Sequence, residues 1–324
     1  MDALSVVGSH LLHGLPSLAG GIGLALTAHT LLTLQNRVLG ISGMVNRTSH
    51  GSLADAVILA GVFAGGLFTA VLSSSGATVP YPNVSRVALA GFLVGLGSKL
   101  ANGCTSGHFL CGCSRLSTRS LVATATFCST GAITSSILHT PLRQETEPEA
   151  DYFTRANLIF LALGGFSLAI AWLISSSRHR SQSSPSPPSR DIVGQFSILF
   201  LTGLSFALSL QVSRLADPQR VIGFLVLPFN AGFDGSLVFL ALGALPLLAI
   251  LYLTGSVKIA SSNIIDTRLL GGAAIFGIGW AIEGVCPGPA VLNLGRAAIA
   301  GGGSVHLIWL SAFVVGSRLA ELIA

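Results

Sequence analysis

Residues 84–104 read VSRVALAGFLVGLGSKLANGC, and residues 266–286 read DTRLLGGAAIFGIGWAIEGVC. Slid by about 182 positions, the two stretches place Arg86 on Arg268, Gly95 and Gly97 on Gly277 and Gly279, and Cys104 on Cys286. Further upstream, Arg37-Val38-Leu39-Gly40 is answered by Arg220-Val221-Ile222-Gly223. Two matches in the same order mark an internal duplication and not a chance enrichment in glycine. Each stretch is also apolar over close to the roughly 20 residues that a helix needs to cross a bilayer.

Outward from these two runs, the chain gives nine apolar spans, near 11–34, 53–74, 84–101, 118–139, 153–175, 192–212, 236–254, 267–284 and 304–323. The cysteine-bearing span is third in the order and its counterpart eighth, so the two run in opposite directions and the repeat is inverted. The expected fold is an all-α polytopic membrane protein of about nine transmembrane helices with short re-entrant half-helices. Its parts are a first membrane repeat (1–140), a connecting loop with a central transmembrane helix (141–175), a cytoplasmic Ser/Pro/Arg linker (176–191) and a second membrane repeat (192–324). The linker is too polar and Pro-rich to bury an apolar face. Secondary transporters and channels use such inverted repeats, with the site near mid-membrane at the repeat interface.

Composition agrees with lipid as the solvent. Of 324 residues 51% are hydrophobic and 9% charged, against roughly a quarter charged in soluble domains. A net charge of +5 would suggest a nucleic-acid partner in a soluble protein. Here the basic residues are scattered through loops, where they set topology and imply no nucleic acid. The face with Arg37, Arg47, Arg115, Arg119, the linker arginines, Lys258 and Arg268 outnumbers the face with Arg86, Arg143, Arg155, Arg214, Arg220 and Arg296. This puts the linker and C-terminus in the cytoplasm and the N-terminus outside; the plasma membrane is the expected location. No cleavable signal pattern precedes the first span, which is expected to stay in the mature protein. The five cysteines lie in or beside apolar runs and do not read as disulfides.

The densest polar patch is Asn102-Gly103-Cys104-Thr105-Ser106-Gly107-His108, continuing to Cys111, Cys113 and Arg115; its counterpart is Cys286-Pro287-Gly288-Pro289. Each follows a glycine-rich span, breaks the helix, and leads into an apolar stretch too short to cross the bilayer. This reads as a re-entrant half-helix, tolerable at membrane depth where it lines a cavity. Cys286 stands at an N-cap with Pro287 at the first helical position, and Thr105 or Ser106 caps the other half-helix. Two helix N-termini facing the repeat axis favour an anion. A thiol there is a weak, polarizable donor that contacts a soft anion without holding it tightly. Cys128, in mid-span, reads as a small apolar residue. Lys99 and Glu283 are charges inside spans, costly unless they face a cavity or each other, and are expected to pair across the repeat interface. His108 is expected to cap or pack within the re-entrant turn. A Cys104, His108, Cys111, Cys113 cluster is the alternative, a soft-metal site.

Gly97-Ser98-Lys99-Leu100-Ala101-Asn102-Gly103-Cys104-Thr105-Ser106-Gly107-His108, with Cys111-Gly112 and Ser114-Arg115-Leu116-Ser117, resembles the signature of the YeeE/YedE sulfur-transport family. Asp217 to Phe224, Gly277-Ile278-Gly279-Trp280 and Gly284-Val285-Cys286-Pro287-Gly288-Pro289-Ala290 resemble the companion half, which some bacteria encode as a separate short protein. The resemblance implies an inverted-repeat fold and thiosulfate uptake, with Cys104 and Cys286 matching pore cysteines that pass the anion along by S–H contacts. It also implies a third pore cysteine; Cys111, Cys113 and Cys128 are the remaining thiols. Glu283 stands where the family usually has a small residue.

The expected function is therefore a membrane transporter or channel for an inorganic sulfur anion, most simply thiosulfate, with no cofactor and no enzymatic step. Its pathway residues are Cys104, Cys286, Asn102, Thr105, Ser106, His108, Pro287, Gly288, Lys99, Glu283 and Cys111. Partners are the anion and the lipid bilayer. The alternative readings are a persulfide relay to a cytoplasmic sulfur-acceptor protein and a sulfide or soft-metal permease. No ATP-binding motif is present in the sequence.

Overall fold

A computed structural model describes residues 3–72, 83–138, 154–181, 192–226, 233–255 and 263–323. The described residues form twelve α-helices and one π-helical segment, in a sequence that repeats. In the first half come α1 (Ala3–Gln35), the short α2 (Ile41–Ser49), α3 (Leu53–Leu72), α4 (Val84–Leu100), the π segment (Ser106–Cys113) and α5 (Thr118–Leu138). After α6 (Arg155–Ser181) come α7 (Ile192–Val212), the short α8 (Pro218–Leu225), α9 (Ser236–Thr254), α10 (Thr267–Glu283), α11 (Pro287–Ala300) and α12 (Gly303–Ile323).

A long helix coincides with each of the nine expected spans. Among the described residues eight stretches are long and apolar enough to cross a membrane, α10 and α11 counting together as Thr267–Ala300; α4 and α10 have 17 residues each, and α4 has no such continuation. Large apolar side chains such as Ile137, Phe166, Leu173, Leu253 and Val315 lie exposed on these helices. Lipid is the solvent that such a surface requires. The protein is an all-helical, integral, multi-pass membrane protein.

One observation refines the expected boundaries. The helix α6 continues to Ser181, past the expected start of the linker at 176, and in that extension Ser177 Oγ donates to the Leu173 carbonyl at 2.9 Å. The rest of the linker, Lys258 and the loop containing Arg143 lie outside the described residues.

Helix direction is legible from the close approaches. α1 and α7 run antiparallel: Thr27 and Ser205 hydroxyls meet at 3.0 Å, and Ser17 Oγ donates to the Ser213 carbonyl at 3.2 Å. α4 and α10 also run antiparallel. Gly97 lies on Gly272 and Phe276, Gly279 on Ala90 and Val94, and Arg86 reaches the carbonyl of Ile282. Without hydrophobic drive between helices in lipid, small residues and hydroxyl contacts bring backbones together. A methyl group on Gly97 would collide with the backbone of α10.

Both glycine-rich helices end in the same way. Asn102 has φ +57° and Gly284 has φ +67°, and the two stand at equivalent places in the duplicated stretch. A left-handed residue just past a helix end turns the chain back; asparagine and glycine tolerate it best. At Gly284 an added Cβ would also collide with the Pro218 carbonyl. Gly284→Ala is therefore expected to destabilise the protein by about 1–3 kcal/mol through strain and overpacking together. Fluorescence-detected gel filtration after heating checks this; an unchanged melting temperature would refute it.

Candidate functional site

Since α4 and α10 are antiparallel, the segments that follow them start from opposite ends of the pair. They nevertheless meet: Thr105 Oγ1 lies 3.5 Å from Cys286 Sγ. Each chain has folded back toward the middle, as re-entrant segments do. α11 begins as its sequence dictates, with Cys286 at the N-cap and Pro287 at the first helical position, and the Cys286 side chain makes no capping bond. Pro287, Gly288 and Pro289 are all buried.

The first-half segment differs from expectation in detail. It is π-helical, a wide helical form found mostly as short bulges, often at functional sites, and neither Thr105 nor Ser106 caps it through its side chain. Thr105 is turned to Cys286 instead. Ser106 Oγ accepts from the amide of Ile41 at 3.1 Å, capping the N-terminus of α2, which its own N-cap Gly40 cannot do. Ser106 Oγ also lies 3.3 Å from Cys104 Sγ. Cys104 and Cys286 are both buried, as is Cys111, whose S–H donates to the Leu39 carbonyl at 3.5 Å.

His108 packs within the turn. Its Nε2 donates to the Ala101 carbonyl at 3.1 Å, which fixes the tautomer and leaves Nδ1 to accept from Ser120 Oγ at 3.2 Å. With both ring nitrogens engaged, His108 does not join Cys104, Cys111 and Cys113 around a metal. Among the described residues no three His, Cys, Asp or Glu side chains converge as ligands.

Lys99 and Glu283 do not pair with each other. The antiparallel packing of their helices puts them at opposite ends: Lys99 Nζ lies 2.8 Å from Glu321 of α12, and Glu283 lies 3.0 Å from Arg86 Nε. Lys99 thus joins α4 to α12 at one end, where Glu321 also meets His50 and Asn46. Glu283 is buried, with Arg86 as its counter-ion at the other end.

A cavity of about 510 Å³ opens beside this turn. Asn102, His108 and Lys99 line it, and so do Arg47, Arg115 and Arg119. Asn102 therefore has two places in the structure, as the left-handed end of α4 and as part of a polar wall.

Residues 3–134 match the family described as sulphur transport, and residues 195–324 match a family of unknown function. A "Probable transporter" of Xylella fastidiosa (strain 9a5c) is 39% identical over 127 residues, which are 37% of this chain and 90% of that protein. Another, from strain Temecula1, is 33% identical over 132 residues, 38% of this chain and 85% of that protein. The chain belongs to the YeeE/YedE sulfur-transport family. Against relatives of this size, the chain is a two-part member, with one family match in each half.

Within this YeeE/YedE member, the structure adds neighbours that the sequence did not disclose. Cys128 of α5 packs against the buried core that contains Cys104, Cys111 and Cys286. The Tyr252 hydroxyl of α9 faces Cys111 and has no hydrogen-bond partner of normal geometry. Cys128 reads as filler in a single span; the packing of α5 against α10 and against the π segment brings it to the site. For Tyr252 no sequence signal exists, because α9 reaches the π segment solely through tertiary contact.

Proposed function

We propose that this sulfur-transport protein moves a small inorganic sulfur anion, thiosulfate first, across the plasma membrane by passing it between Cys104 and Cys286. One observation carries the reading: two re-entrant segments from opposite ends of an antiparallel helix pair meet at Thr105 and Cys286, 3.5 Å apart. Their N-terminal ends present backbone N–H groups and positive dipole ends to one region, which favours an anion. The thiols add weak, polarizable donors, so an anion is contacted without being trapped. The antiparallel packing of α1 on α7 and of α4 on α10 supports an inverted repeat, in which the midpoint is reached in the same way from either side. The excess of basic residues on the linker side supports a cytoplasmic linker and C-terminus.

The test is uptake of labelled thiosulfate into sealed proteoliposomes containing the wild-type protein, with sulfate and sulfide as parallel substrates. Time-dependent, saturable accumulation of thiosulfate above empty vesicles is expected, with no lasting mass increase on either cysteine. Absence of thiosulfate uptake together with sulfur retained on Cys104 or Cys286 would replace transport by a persulfide relay.

A further inference from the structure

The cavity beside the Cys104 turn is lined by four cations, Arg47, Lys99, Arg115 and Arg119, and by no Asp or Glu. Two of the four are already neutralised from behind. Arg47 makes a two-pronged ion pair with Asp55, and Lys99 is paired with Glu321. Arg115 and Arg119 have no carboxylate partner among the described residues. Each is fixed by one hydrogen bond to a main-chain carbonyl, Arg115 Nε to Cys111 and Arg119 Nη2 to Ala101, at 3.1 Å in both cases.

These two carbonyls bracket Cys104: Ala101 precedes it at the end of α4, and Cys111 follows it in the π segment. The guanidinium groups are thereby tied to the backbone just before and just after the thiol-bearing turn, both line the one cavity, and each keeps most of its five N–H donors for something else. An uncompensated, partly buried guanidinium costs free energy unless an anion completes it, and its planar fork suits oxygens of a small oxyanion. His108 contributes no competing negative group, and Asn102 adds a neutral amide to the wall.

From this geometry we infer that Arg115 and Arg119 form an oxyanion-binding vestibule next to Cys104, which takes the three-oxygen head of a doubly charged sulfur oxyanion before or after it meets the thiols. The inference rests on the transport reading for its place in a pathway, but the binding site stands on the cavity alone. It also separates two kinds of recognition. The arginines read charge and oxygen geometry, which thiosulfate and sulfate share; the thiols then act on the sulfur end, which sulfate lacks.

The experiment is equilibrium binding of thiosulfate and of sulfate to the purified full-length protein in detergent, by calorimetry, for wild type, Arg115→Gln, Arg119→Gln, Arg119→Lys and Cys104→Ala. Both anions should bind wild type, and each Gln variant should weaken both by about tenfold or more, as expected for a charge-assisted contact. Arg119→Lys should retain more affinity than Arg119→Gln, which separates loss of charge from loss of the Ala101 contact. Cys104→Ala should bind sulfate as wild type does.

Wild-type affinity in a folded Arg115→Gln/Arg119→Gln double variant would overturn the vestibule. So would loss of sulfate binding in Cys104→Ala alone. Arginine-dependent binding in a protein whose vesicles carry no thiosulfate would leave the vestibule standing and remove the transport reading. Thiosulfate uptake that needs the cysteines but has an unchanged KM in both Gln variants would do the reverse.

Discussion

Thiosulfate uptake by Cys286→Ala proteoliposomes is expected to fall to the background of empty vesicles, at matched insertion and with an unchanged melting temperature. The two halves of that expectation follow from the same geometry. Cys286 is buried at the N-cap of α11, yet its side chain makes no capping bond, and its described contact is Thr105 Oγ1 at 3.5 Å. Removing one sulfur atom there forfeits a weak hydrogen bond and little packing, so the fold should survive. What disappears is the soft donor at the point where the two halves meet. Cys104→Ala should behave alike, since Cys104 is also buried and its thiol has Ser106 Oγ, at 3.3 Å, as its hydrogen-bond partner.

Cys286→Ser sharpens the argument, because serine is among the best N-cap residues and typically adds about 1 kcal/mol over alanine at that position. The serine variant should therefore be at least as stable as wild type and still transport slowly, its hydroxyl being a harder, less polarizable group than the thiol. Wild-type uptake in Cys286→Ala would show that the anion passes on backbone dipoles alone, and the thiol pathway would fall.

How far these features could be read from the sequence depended on whether they were local. Hydropathy and length located every long helix, since each span is set by its own composition. Cys286-Pro287 announced an N-cap followed by a helix start, and the structure places α11 there. The short helices α2 and α8 were not legible as separate elements: nine and eight residues long, they are too brief for periodicity to stand out. Charge pairing was misread for a different reason. Which acid meets which base depends on relative helix direction and on residues far apart in the chain, such as Lys99 and Glu321. The role of Ser106 was hidden in the same way, because the helix it caps, α2, lies in an earlier part of the chain.

The duplicated Arg-Val-Leu/Ile-Gly motif is the most instructive case. From sequence, Arg37 and Arg220 counted only as loop charges that orient the protein. In the structure each is an ion-pair partner of an Asp near the start of the next long helix in the chain: Arg37 of Asp55, and Arg220 of Asp234 at 3.4 Å. The two matching motifs carry a like tether, and spacing alone could not reveal it because the acids are not at matching offsets.

That tether supports the second large effect, an expected loss of about 3–5 kcal/mol for Asp55→Asn, the cost of removing one partner from a buried charge cluster. Asp55 has a side-chain exposure of 1%, whereas its partners Arg37 and Arg47 have 26% and 50%. It accepts from Arg37, from both Nε and Nη2 of Arg47, and from Ser52 Oγ. Its place in the first turn of α3 adds the favourable end of the helix dipole. Asparagine keeps the shape and loses the charge, which leaves two guanidinium groups facing each other with no counter-ion. Arg47→Gln should cost at most about 1 kcal/mol, because its half-exposed guanidinium is already shared with solvent. The consequence extends to the site. Arg37 anchors the segment whose Leu39 carbonyl receives the Cys111 S–H and whose Ile41 amide donates to Ser106 Oγ. Asp55→Asn should therefore lower the melting temperature and also reduce uptake per folded molecule, since the segment that supports the π helix is released. Thermal unfolding followed by gel filtration, together with uptake normalised to inserted protein, measures both. Equal stability of Asp55→Asn and Arg47→Gln would show that Asp55 is a dispensable surface-type partner, and reduced stability with full uptake per molecule would break the link between this tether and the passage.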